Sequence, residues 1–357
     1  MGVRAMALGS PGWVFIGTDT SAGKSKGIYR AWWDGERGTL TRMELAAKAV
    51  TPSFLAMGSG GRFLYAVNEG GTADDTVTAF SVERKSGALT ELNRVKTGGA
   101  GPCYVSVHED GRSAFVANYS AGSVSSFAVG EDGRLSEAVS HFVYSGHGPN
   151  SERQEKAHAH AAMVRGNWLL VNDLGLDRIV VYRIDRKTAA LTEAGTWQAR
   201  AGSGPRHVAF HPNGMWAYNL NELDSTVDLL AWDEGHGTLR TLGTVPTLPG
   251  DFDVAANRAS EIAVTADGRF VFEGNRGHDS IAVFSVGKTG ELTLVERVGC
   301  GGANPRAFEI DPTGRWLVVQ NQDSNVVSVI PFDAKAGKLG AAVDALKVDA
   351  PMHMVFA

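Results

Sequence analysis

The stretch Gly204-Pro205-Arg206-His207-Val208-Ala209-Phe210-His211-Pro212-Asn213-Gly214-Met215-Trp216-Ala217-Tyr218-Asn219-Leu220-Asn221-Glu222 reads as two short strands around a tight turn. The strands are Arg206 to Phe210 and Met215 to Leu220, and the turn is Pro212-Asn213-Gly214. Antiparallel pairing through a short turn sets the two far ends side by side. Arg206 opens the first strand and Glu222 closes the second, so one edge of the molecule receives an arginine and a glutamate.

The same pattern recurs in both directions along the chain at roughly 45 to 57 residues, the period of propeller blades. First strands begin near Ser53, Cys103, His160, Ser260 and Arg306, each followed by a turn and a second strand that ends at Glu69, Tyr119, Asp173, Arg276 and Gln322. The chain starts on a second strand, Trp13 to Asp19, and finishes on a first strand, Ala350 to Phe356. Together these two fragments complete one further blade. After each pair comes an alternating third strand, such as Arg178 to Tyr182 or Ser280 to Phe284, and then an outer strand behind a glycine turn. The expected fold is all-β: a seven-bladed β-propeller of four-stranded antiparallel blades, a single domain over residues 1–357. The C-terminal strand joins the N-terminal blade to close the ring and remove free sheet edges. The linkers Gly146 to Lys156 and Pro249 to Arg258 are longer and more polar than the rest and are expected to overhang one face.

Composition narrows the function. A net charge of -5 supplies no positive field for nucleic acid. No stretch has membrane-spanning length, and Met1 to Pro11 lacks the apolar run of a signal peptide. Two cysteines, Cys103 and Cys300, are too few for a disulfide framework. The expected setting is the cytoplasm, with no nucleic-acid or membrane partner. A closed ring needs no partner to fold, so monomer is the default and a homodimer is compatible.

In a propeller, the first strand of each blade lines the central channel. Aligning the blades by their turns places His160, Arg206 and Arg306 at equivalent inner-strand starts. The second strands end on the same face, at Glu69, Asp173, Glu222, Arg276 and Gln322, and most of these follow an asparagine such as Asn221. One channel mouth thus collects His160, Arg206, Glu222, Arg276 and Arg306, whereas the opposite turns are mostly Gly, Asp and Asn. A lone arginine at a strand end is usually solvated or paired, but three converging on one funnel form an anion site. Substrate contacts are expected from Arg306, His158, Glu69, Asp173, Asn221 and Gln322. The repeated asparagine has a plainer reading, since its amide stabilises local turns. His158-x-His160 beside Asp173 is a weak metal signal, and neither metal nor cofactor is expected.

At these residues the sequence resembles a known family. Gly204-Pro205-Arg206-His207 through Asn221-Glu222-Leu223-Asp224-Ser225-Thr226-Val227 is similar to the signature of the lactonase family of seven-bladed propellers. That family includes bacterial propeller-type 6-phosphogluconolactonases and fungal carboxy-cis,cis-muconate cyclases. Asn275-Arg276-Gly277-His278-Asp279-Ser280 and Asn304-Pro305-Arg306 add to the match. The resemblance implies a catalytic set of His160, Arg206, Glu222 and Arg276, and a small anionic lactone, with 6-phosphogluconolactone foremost, as the substrate. Two departures stand out: the hairpin after His160 is shortened, and Ala259-Ser260 replaces a Gly-Pro pair.

Hydrolysis of a lactone needs an activated water, a stabilised oxyanion and a proton for the leaving alkoxide. Either His160 or Glu222 can act as base, with the other as partner. Arg206 and Arg276 can hold the substrate anion or the oxyanion. The same groups can serve a lactonising cycloisomerase, or a lactonase for an unphosphorylated sugar. A non-catalytic protein-binding propeller is a further reading, but it would show clustered aromatic anchors. The tryptophans here fall mostly within strands and read as blade packing.

Overall fold

The computed structural model describes residues 11–21 and 23–357. The N-terminal stretch read above as lacking a leader lies, apart from Pro11, outside the described residues. Seven antiparallel sheets form a ring, as the repeat predicts. The fifth blade runs Pro205–Phe210, Trp216–Asn221, Thr226–Asp233 and Thr238–Pro246 from the channel outward. The first blade takes its inner strand, Pro351–Phe356, from the end of the chain and pairs it antiparallel with Gly12–Thr18. Inner strands neighbour one another all the way round, from Pro351–Phe356 through each blade in turn to Pro305–Ile310. In the seventh blade the outer strand is broken into Lys338–Leu339 and Asp344–Lys347.

The core is divided among the gaps between blades, with one buried cluster in each of the seven. Successive side chains of a strand point to opposite faces, and a second strand has a neighbouring blade on both. In Phe63–Asn68, Leu64 and Ala66 therefore pack toward the first blade, while Tyr65 and Val67 pack toward the third. This explains why second strands are continuous apolar runs.

A repeated aromatic contact ties the outer parts of neighbouring blades. Trp168 opens a second strand and covers Gly237 in the next blade, donating from Nε1 to Glu234 O at 2.7 Å. Trp316 does the same over Gly38, and bonds Gly35 O at 2.9 Å. Gly237 has φ 65°, and a Cβ there would lie 2.5 Å from the indole. The third blade opens its second strand on Ser113 instead of an aromatic, and the facing position carries Ala189 at φ 65°. The tryptophans are blade packing, as the sequence suggests.

A feature absent from the sequence reading sets the site. Six inner strands shift register near their starts: Pro102 faces Asn118 but Tyr104 faces Ala117, and Pro205 faces Asn221 but His207 faces Leu220. The unpaired residues are Cys103, His160, Arg206, Arg306 and Met352, with Ser260 and Glu261 in the sixth blade. A bulge inserts one residue and re-aims its side chain. Apart from Ser53 in the second blade, the aligned channel positions are thus bulge positions.

Candidate active site

A cavity of ≈ 320 Å³ opens at the channel mouth where the bulges and the second-strand ends meet. At its centre is Glu222, buried and held by three guanidinium groups. Arg153 Nη2 donates to Oε1 at 2.6 Å, while Arg206 Nε and Arg276 Nη2 approach Oε2 at 3.1 and 3.0 Å. His160 Nε2 is 3.9 Å from the same oxygen. The four residues implied by the family resemblance are brought together.

The arginines have distinct settings. Arg206 is 3% exposed and does not line the cavity. Its Nη1 sits 3.3 Å from His207 Nε2, and His207 Nδ1 is 2.8 Å from Glu261 Oε1. Donation from Nδ1 to Glu261 leaves Nε2 free to accept from Arg206, which fits a neutral imidazole. Arg276 is fixed by the carbonyls of Arg258 and Ala259, at 3.2 Å each. Arg306 lines the cavity and, among the described residues, has no carboxylate within salt-bridge distance.

Two further arginines enter from the polar linkers. Arg153 comes from the segment before the fourth inner strand. Asn150 there accepts from the amides of Glu152 and Arg153, and the fully buried Gln154 donates to Leu174 O and Asp177 Oδ1. Arg258 follows the short 3-10 turn Val254–Ala256 and donates to Ala255 O and Asn257 O. Both line the cavity. The linkers do overhang this face. Arg153 lies in a loop outside the blade repeat, whereas Arg258 is the first residue of the strand Arg258–Val264 and pairs with Arg276. The available signal was that the two unusually long polar segments each carry arginine, one before the fourth blade and one before the sixth.

Of the other nominated residues, Glu69 lines the cavity. His158 does not: its ring stacks on Tyr119 at 4.4 Å and pairs with Glu155 at 3.1 Å. Asp173 is fully buried and accepts from the amides of His158 and Leu176. Asn221 is fully buried and bonds Thr226 and Asp228 inside its blade. Gln322 lies off the cavity wall, its amide bonded to Asn304 O. Asn221 and Glu222 are adjacent, so they face opposite ways, and only Glu222 reaches the mouth.

The electrostatics follow from the geometry. Burial opposes ionisation of Glu222, but Arg276, Arg206 and Arg153 outweigh it and hold the carboxyl far below the usual carboxylate range. Burial, and then Arg206, His207 and Arg306, push His160 well below an ordinary histidine, so it is neutral at physiological pH. Burial brings His207 down to about 4 and Arg276 down to about 9, Glu222 working against the latter shift. Burial raises Glu69, with Ser53 and Arg306 acting against it. The wall is therefore electropositive although the whole chain is acidic. Among the described residues no group of three or more His, Cys, Asp or Glu side chains has the arrangement of a metal site.

A seven-bladed ring with a His, Glu and Arg cluster at one mouth defines the class. Residues 13–356 match the family described as Lactonase, 7-bladed beta-propeller, and the chain belongs to that family. It is 39% identical over 345 residues to a Bacillus subtilis protein named 6-phosphogluconolactonase, covering 96% of this chain and 97% of that one. Among solved structures, the Pseudomonas aeruginosa periplasmic gluconolactonase matches with a TM-score of 0.91 at 34% identity, over 97% of this chain and 99% of that one. A Lactobacillus plantarum protein matches with a TM-score of 0.91 at 32% identity, over 98% of this chain and all of the other. No helix among the described residues is long and apolar enough to cross a membrane.

Proposed function

We propose that this chain is a lactonase for a small anionic sugar lactone, most specifically 6-phosphogluconolactone, with the whole chain acting as one domain. The observation that carries the reading is a mouth with more guanidinium than carboxylate charge, in which Arg306 faces the cavity without a carboxylate partner. Such a wall attracts a phosphate or carboxylate, and planar guanidinium groups grip it through paired hydrogen bonds. Arg306 and Arg258 hold the anionic group, and Arg276 faces the oxyanion that forms as water adds to the carbonyl.

Of the two candidate bases, His160 is preferred. Both oxygens of Glu222 are committed to arginines, whereas His160 Nε2 stands 3.9 Å from Glu222 Oε2 without a hydrogen bond. His160 is neutral and takes the proton from water, while Glu222 aligns Arg153, Arg206 and Arg276. Cys103 on the wall is a buried thiol pushed up by burial, so a thiolate nucleophile is not assigned. We place the protein in the cytoplasm, as monomer or homodimer, on the two free thiols and the closed ring.

The test is hydrolysis of freshly generated 6-phosphogluconolactone beside unphosphorylated gluconolactone, with the spontaneous rates subtracted. Strong acceleration of the phosphorylated lactone is expected. Acceleration of the unphosphorylated lactone alone moves the substrate to another sugar acid. No acceleration of either rejects the reading in favour of muconate-type cyclisation or a binding propeller.

A further inference from the structure

We propose that Glu69 is the general acid of this site: its carboxyl delivers the proton to the ring oxygen as the lactone C–O bond breaks. This rests on the lactonase reading and assigns a step that reading leaves open. An alkoxide is a poor leaving group at neutral pH, so collapse of the tetrahedral intermediate needs a proton donor within reach.

The cavity wall offers few donors. Guanidinium groups keep their protons, and Glu222 is ionised between three of them. The Tyr119 hydroxyl accepts from Arg153 at 3.2 Å, and burial raises its pKa, which makes it a reluctant acid. Cys103 is likewise pushed up by burial. Glu69 remains. It closes the second strand of the second blade, the place that Glu222 holds in the fifth, and its amide is fixed by a bond to Thr51 O at 3.1 Å.

The surroundings of the two glutamates are opposite. Oε2 of Glu69 is buried without a hydrogen-bond partner, whereas both oxygens of Glu222 are paired with arginine. A buried carboxyl oxygen without a donor disfavours the ionised form. The charged groups that bear on Glu69 are Arg306 from the seventh blade, Asp19 from the first and Asp75 from its own. The Ser53 hydroxyl and Arg306 favour ionisation, and burial outweighs both. One carboxylate bound by three arginines and one with a buried oxygen that has no donor, in the same cavity, is the arrangement that separates an electrostatic role from an acid role.

The step balances. His160 takes one proton from water as the new C–O bond forms. Glu69 gives its proton to the departing ring oxygen and regains one from solvent. His160 and the new carboxylic acid each release one, so the turnover yields a hydroxycarboxylate and a net proton.

Glu69→Gln keeps the shape and a hydrogen-bond donor but cannot transfer a proton. On the lactone that the wild type hydrolyses best, kcat is expected to fall by roughly 10²-fold with little change in KM. The alkaline limb of the wild-type kcat profile, where Glu69 loses its proton, disappears in the variant. Tyr119→Phe retains that limb whatever its kcat. Infrared difference spectra at neutral pH are expected to show a protonated-carboxyl band in the wild type that is missing in Glu69→Gln, whatever the turnover. A folded Glu69→Gln with wild-type kcat and an unchanged alkaline limb overturns the acid role, as does the absence of that band. A wild type that accelerates no lactone overturns the underlying reading, and the acid role with it.

Discussion

Arg153 Nη2 lies 2.6 Å from Glu222 Oε1, across 69 residues of sequence. Arg153 comes from a linker and Glu222 from a strand end, so the link ties the overhanging segment to the centre of the ring. Burial opposes the charge on Arg153, but Glu222 and Tyr119 more than compensate and raise its pKa. Arg153→Ala is expected to lower kcat/KM by roughly 10- to 10²-fold by releasing one edge of Glu222. Gln154→Ala loosens the same segment and should show a smaller loss of the same kind. Steady-state kinetics on both variants check this; unchanged values would make the linker a bystander.

Glu222→Gln bears on stability as well as turnover. It leaves three guanidinium groups around a neutral amide, and loss of a buried charge partner costs about 3–5 kcal/mol. The sign with pH is fixed by the depressed carboxyl. Its contribution is fully present above the usual carboxylate value and is lost as pH falls through the folded value. The wild type should therefore lose its advantage over Glu222→Gln progressively in acid below about pH 4.5. Thermal melts of both proteins across that range provide the comparison.

His160 yields a pH-rate prediction. Because it is already neutral near pH 6, kcat/KM should show no histidine inflection between about pH 6 and 8. An inflection near the ordinary histidine value would mean that the imidazole is charged in the free enzyme. His160→Ala should lower kcat by roughly 10²- to 10⁴-fold.

The outer contacts are testable separately from the chemistry. Gly237→Ala puts a side chain into a left-handed backbone and into the Trp168 ring. The backbone costs about 1 kcal/mol and the crowding a further ~1–3 kcal/mol. Calorimetry should show a lower Tm with kcat unchanged, since this contact lies away from the mouth.

The ring was legible because each blade repeats one strand-turn-strand pattern, and the chain supplies matching fragments at Trp13 and Pro351. His160, Arg206, Glu222 and Arg276 were legible because equivalent positions in a closed ring converge. Arg153 was not, since a loop follows no repeat, and only its backbone bonds decide where it leads; Arg258, which opens the sixth inner strand, was counted with the linker before it. The bulges at Cys103, His160 and Arg206 were hidden because an extra residue in one strand leaves the apolar pattern intact. Asn221 and Asp173 were nominated by proximity to the mouth. Their side chains are buried in hydrogen bonds within the structure, a distinction of one residue in register.

The most direct test of the account is the rate of 6-phosphogluconolactone hydrolysis by wild type and by Glu222→Gln, each shown to be folded, with the spontaneous reaction subtracted. The account predicts rapid turnover by the wild type and a rate close to the spontaneous one for the variant. A folded variant with the wild-type rate would contradict it, because the arginines would then need no carboxylate to hold them in place.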